Sequence, residues 1–146
     1  MDYATLKSEI ALPAYAGMTD AEISAALNAP IACTQDVPAR SVRAVLMARG
    51  KWPLVLIASE ATTKDATWAA ARLLYDFVGE GGTFDTSNGA MLAALTGQMQ
   101  TLVAGSVLVD ADKAAVLALT EGTTTRAAQL GLGSVNAGDI QTARIA

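Results

Sequence analysis

The chain has 146 residues, room for one ordinary domain. Hydrophobic residues make up 52 % of it, yet 31 are alanine and only 7 are aromatic. That composition favours closely packed helices and argues against disorder. The formal charge is −4 and the isoelectric point about 4.6, which excludes a protein that coats nucleic acid with a basic surface. There is no histidine and a single cysteine, Cys33. Histidine-dependent acid–base and nucleophilic chemistry, thiolate zinc sites and internal disulfides are thereby excluded. No catalytic residue, metal ligand or cofactor site is expected, and the protein is read as not an enzyme.

Residues 1–7 carry no basic stretch followed by an apolar run, so no signal peptide is expected. The longest strongly apolar run, Leu54 to Ala58, is far below the roughly 20 residues of a membrane span. A reducing, aqueous compartment is the expectation.

Seven short helices are predicted in chain order. The first covers about Asp2 to Ala11, with Asp2 as N-cap and Tyr3, Leu6 and Ile10 on one face. Thr19 and Glu22 form a capping box opening a second helix to Ala29, which Pro30 ends. A third runs from Pro38 to Arg49, capped by Asp36 and closed by Gly50, with Val42, Val45, Leu46 and Arg49 on one stripe. Trp52 to Ile57 forms a short fourth. Thr63 to Val78 forms a fifth, Ser87 to Ala104 a sixth and Ala111 to Thr120 a seventh. Beyond them, Thr123 to Thr125 can cap a short helix through Leu130, and Gly138-Asp139 a last turn through Arg144. Val107-Leu108-Val109 is the only stretch with strand character. The fold class expected is all-α, a single domain of about seven helices. Residues 1–121 are the helical domain and residues 122–146 an irregular C-terminal docking arm, expected to be lost first to limited proteolysis in free protein.

Several constellations read more simply as structure than as sites. Gly79-Glu80-Gly81-Gly82-Thr83 lacks the Gly-Lys-Ser/Thr ending of a phosphate loop and reads as a helix–helix corner. Gly131-Leu132-Gly133 has Asn136 where a dinucleotide fingerprint needs its third glycine. Asp110 and Asp112 read as carboxylates at a helix N-terminus rather than the start of a calcium loop. Glu9, Asp20 and Glu22 read as solvated helix ends, Cys33 as a small buried hydrophobe, and Trp52 and Trp68 as core or interface anchors.

One charge feature stands apart. Arg40, Arg43, Arg49 and Lys51 are four of the ten basic residues, within twelve positions that hold no acid. They are either a solvated face or a contact for phosphate or for acidic residues of a neighbouring subunit.

Taken in order, several stretches resemble a family of small virion-morphogenesis proteins of tailed bacteriophages and prophages. They are Asp2-Tyr3 with Leu6-Lys7 and Glu9-Ile10, the Tyr15-Ala16-Gly17-Met18-Thr19-Asp20-Ala21-Glu22 corner, and the Arg49-Gly50-Lys51-Trp52 step. Asp112 to Leu119, Arg126-Ala127-Ala128-Gln129-Leu130-Gly131-Leu132-Gly133 and Asp139 to Arg144 complete the set. The likeness spans nearly the whole chain. It departs at Ala11 to Ala14, where many relatives carry a longer segment. The resemblance implies a virion structural protein, foremost a head–tail connector: a ring, of about a dozen copies, between portal and tail in the virion neck, assembled in the host cytoplasm. Its implied partners are other copies of itself, portal and tail or neck proteins, and transiently the packaged DNA, with no membrane. The alternative is a decoration or other tail- or capsid-associated binding protein with no DNA-channel role. Arg40, Arg43, Arg49 and Lys51 are then the candidate interface or DNA-facing residues. Arg126, Leu130, Leu132, Ile140 and Arg144 are the candidate docking-arm residues.

Overall fold

The computed structural model describes residues 1–146. The chain is predominantly helical, with nine α-helices and four short strands in two separate two-stranded pairs. It divides into two compact units. The first joins residues 1–33 to residues 123–146, and the second is residues 34–122.

In the first unit, α1 (Tyr3–Ile10) starts where the Asp2 carboxylate accepts hydrogen bonds from the Ala4 and Thr5 backbone N–H groups. A 3-10 turn at Pro13–Tyr15 follows, and then α2 (Asp20–Asn28) behind the Thr19–Glu22 capping box read from sequence. The chain leaves this unit within β1 (Pro30–Thr34) and returns within β4 (Glu121–Thr125), its hydrogen-bonded neighbour.

The last two helices are α8 (Arg126–Gln129), capped by Thr125, and α9 (Ala137–Ile145), capped by Asn136. They replace the irregular docking arm expected of residues 122–146. Ala127, Leu132, Val135, Ile140 and Ala143 are buried in one core with Leu6, Ile23 and Leu27 of α1 and α2. The physical reason is economy of size. Alanine at positions 127 and 143 lets backbones approach closely enough for a few large side chains to fill the space. Asn28 fixes the returning segment, donating from Nδ2 to the Val135 carbonyl at 2.6 Å and accepting from the Val135 N–H at 3.2 Å.

The second unit holds α3 (Ala39–Ala48), α4 (Trp52–Ser59), α5 (Ala66–Gly79), α6 (Gly89–Ala104) and α7 (Asp110–Leu117). Its core gathers Val42, Leu46, Val55, Ala71, Leu74, Leu95, Met99, Leu102 and Val116. All four strands depart from the all-α reading; the two in this unit, β2 (Val37–Pro38) and β3 (Thr83–Phe84), pair antiparallel with Val37 opposite Phe84. They take over the start of α3. Its N-cap is Pro38, with no side-chain cap, and the Ala39 N–H donates to the Gly82 carbonyl at 2.9 Å. Asp36, expected as that cap, instead accepts from the Thr86 N–H.

The Val107–Val109 stretch is not a strand. The Val107 and Leu108 N–H groups both donate to the Leu102 carbonyl, wrapping the end of α6, and Leu108 turns inward. Cys33 is only partly buried, in β1. No helix is long and apolar enough to cross a membrane.

Candidate functional site

The acid-free basic stretch folds as the solvent edge of α3 and the turn into α4. Gly50 takes φ +68°, a left-handed conformation that suits glycine, and the Lys51 N–H closes back on the Leu46 carbonyl at 2.7 Å. That reversal brings Arg49 and Lys51 to Asp112 in the first turn of α7. The Asp112 carboxylate, 1 % exposed, accepts from Arg49 Nε at 2.6 Å, lies 3.8 Å from Lys51 Nζ and accepts from the Val109 N–H at 2.9 Å. Burial is the strongest single influence and pushes the Asp112 carboxyl up. The Val109 N–H, Arg49 and Lys51 together outweigh it and hold the carboxyl below the usual range.

The four candidate cations therefore separate into two pairs. Arg49 and Lys51 neutralise a buried carboxylate, a fixed internal clamp. Arg40 and Arg43 are exposed and form no ion pair. Arg43 lies over the Trp52 ring at 5.7 Å, and Trp52 in turn stacks on Tyr75 of α5 with centroids 6.1 Å apart. Between α3, α4 and α5 runs a groove of about 360 Å³, with Trp52 and Leu56 facing Arg43, Met47 and Tyr75. Arg40 borders a neighbouring hollow of about 310 Å³ with Gly81, Gly82 and Thr83.

Of the expected anchors, Trp52 is buried in this site. Trp68 is only partly buried, with the Lys64 ammonium 4.5 Å from its ring centroid.

The candidate docking-arm residues are all engaged inside the first unit. Leu132 and Ile140 are buried, and Leu130 packs against the same core. Arg144 pairs with Asp20 at 3.1 Å. Arg126 grips Glu9 with two bonds of 2.8 Å, Nε to Oε1 and Nη2 to Oε2. The Tyr15 hydroxyl donates to the same carboxylate at 3.0 Å. Arg126 is the main reason the Glu9 carboxyl lies below its ordinary range, with Tyr15 helping against the opposing pull of burial. Glu9, read as a solvated helix end, is thus 7 % exposed and structural. Its position next to the last residue of α1 gives no sign in sequence of an arginine 117 residues away.

Replacing Glu9 with alanine removes three charge-assisted hydrogen bonds, two of them from Arg126. It is expected to cost about 1–3 kcal/mol in chemical denaturation, because Arg126 keeps access to water.

The second unit also exposes large apolar side chains: Met47 at 52 %, Leu54 at 40 %, Ile57 at 66 % and Leu73 at 59 %. No group of three or more His, Cys, Asp or Glu side chains is placed to hold a metal ion. Comparison with family models, curated proteins and solved structures finds no match for this chain.

Proposed function

We propose that this protein is a structural component of the virion of a tailed bacteriophage, a head–tail connector whose copies assemble between portal and tail. The sequence resemblance set out above supplies the context. The observation that carries the reading is the surface of the second unit, where two arginines without ion pairs share α3 with uncovered Met47 and the next helix, α4, leaves Ile57 uncovered. Large exposed apolar side chains beside unpaired charge are what an assembly subunit presents before its neighbours arrive.

Imaging of virions with this chain labelled tests the proposal directly. The expected position is the neck, and a label confined to the capsid shell would replace the connector reading with that of a decoration protein. A complementary test replaces both Arg40 and Arg43 with alanine. Both are exposed and lie off the Val42/Leu46 core stripe, so the fold is expected to persist. Each contact is worth about 1–3 kcal/mol if desolvated at an interface and near zero if it stays in water. The expected result is fewer joined particles and an excess of separate heads or tails by electron microscopy. Normal assembly and infectivity would make the α3 edge an ordinary solvated face.

A further inference from the structure

Helix α4 is apolar on every side. Trp52-Pro53-Leu54-Val55-Leu56-Ile57-Ala58-Ser59 contains no charged residue, a pattern found in helices that are buried all round. Trp52, Val55 and Ser59 do face the core, but Leu54 and Ile57 stand in solvent. One turn beyond Ile57, Glu60 ends the helix, exposed and without an ion pair. A carboxylate there meets the negative end of the helix dipole and is disfavoured unless a cation approaches.

The edge of α3 has the opposite character. Arg40 and Arg43 lie in its first turns, at the positive end of the dipole, with no carboxylate beside them, and Met47 follows one turn later. The two surfaces match in charge and in spacing. Met47 is about 6 Å along α3 from Arg43, and Glu60 is about 4.5 Å along α4 from Ile57. Set antiparallel, they place Ile57 against Met47 while Glu60 comes within about 1.5 Å of the level of Arg43, with Arg40 one turn beyond. The same alignment relieves the misplaced charge at both helix ends.

We infer that a second copy of this chain docks here, its α4 ridge of Leu54, Ile57 and Glu60 lying antiparallel along the Arg40–Arg43–Met47 edge of α3 and over the Trp52–Tyr75 groove. This rests on the reading above only in its premise that copies meet, and it names the surfaces by which they do. A symmetric pair uses both surfaces twice, and a head-to-tail contact uses each once per copy, which propagates into a ring.

The test is the mass of the full chain in solution, by light scattering and sedimentation over a concentration series, with circular dichroism to confirm folding. The wild type is expected to exceed the monomer mass as concentration rises. Ile57→Lys, Arg43→Glu and Glu60→Arg, all at exposed positions, are each expected to weaken association about tenfold or more. Combining Arg43→Glu with Glu60→Arg is expected to restore most of it, because the pair is reversed rather than lost. A wild type that stays monomeric throughout overturns the inference. So does association indifferent to the three single variants, or a double variant no better than its parents. A neck-located chain that failed this test would leave the connector proposal standing, and a swap-sensitive oligomer absent from the neck would do the reverse.

Discussion

Ile140→Ala is expected to cost about 2–5 kcal/mol, against a change within about 0.5 kcal/mol for Ile145→Ala five residues later. Ile140 is fully buried among Leu6, Ile23 and Leu27, whereas Ile145 is 87 % exposed. Both residues lie in α9, so helix propensity changes similarly and the difference isolates packing. The loss at Ile140 is shared by the two ends of the chain, because residues 1–33 have no core without the returning segment. Hydrogen exchange on the Ile140→Ala variant is therefore expected to show faster exchange in α1 and α2 as well as in α9, with smaller changes in α5 and α6. A tail behaving as a free arm would exchange fast in the wild type and leave α1 and α2 unaffected by the substitution. Limited proteolysis gives a second reading: cleavage is expected not to begin in α9.

The helices were legible because their signals are local. Asp2, the Thr19–Glu22 box, Gly50 and Thr125 act within four residues of themselves, and each starts or ends an element close to where its chemistry indicates. What escaped the sequence reading depends on partners far along the chain. The pairing of Val37 with Phe84 uses two residues per strand, too short for any alternation of apolar and polar positions to register. By itself the tail holds few large apolar residues. Its core is completed by Leu6, Ile23 and Leu27 from the other end of the chain. Likewise the basic stretch was legible as charge but not as two separate pairs. That division depends on Gly50 turning Lys51 back toward α7, where Asp112 waits some sixty residues on. Asp112 carried a partial signal, being the N3 position of a helix whose N-cap, Val109, has no side-chain acceptor.

Replacing Asp112 with alanine is expected to destabilise the second unit by about 2–3 kcal/mol at neutral pH. Its carboxylate is the only side chain bonding the Val109 N–H at the start of α7, and the only acid paired with Arg49 and Lys51. The cost stays below that of a fully buried pair because the side chains of Arg49 and Lys51 are 38 % and 28 % exposed and regain water. Asp112→Asn keeps an oxygen for the Val109 N–H but loses the charge and places an NH2 group where Oδ1 accepts from Arg49, so it is expected to fall between wild type and alanine. The acid response separates charge from packing. Asp112 is held below its ordinary value in the folded protein, so its charge-linked stabilisation is complete above the unfolded carboxylate value of about 3.9. That contribution disappears as pH falls through the lower folded value, where the native carboxylate finally takes up its proton. Urea midpoints of the wild type and Asp112→Asn are therefore expected to differ most near pH 7 and to converge only once the pH has fallen below the ordinary carboxylate range. A gap that stayed constant from neutral to acid pH would show that shape at position 112, rather than its charge, holds α3 and α7 together.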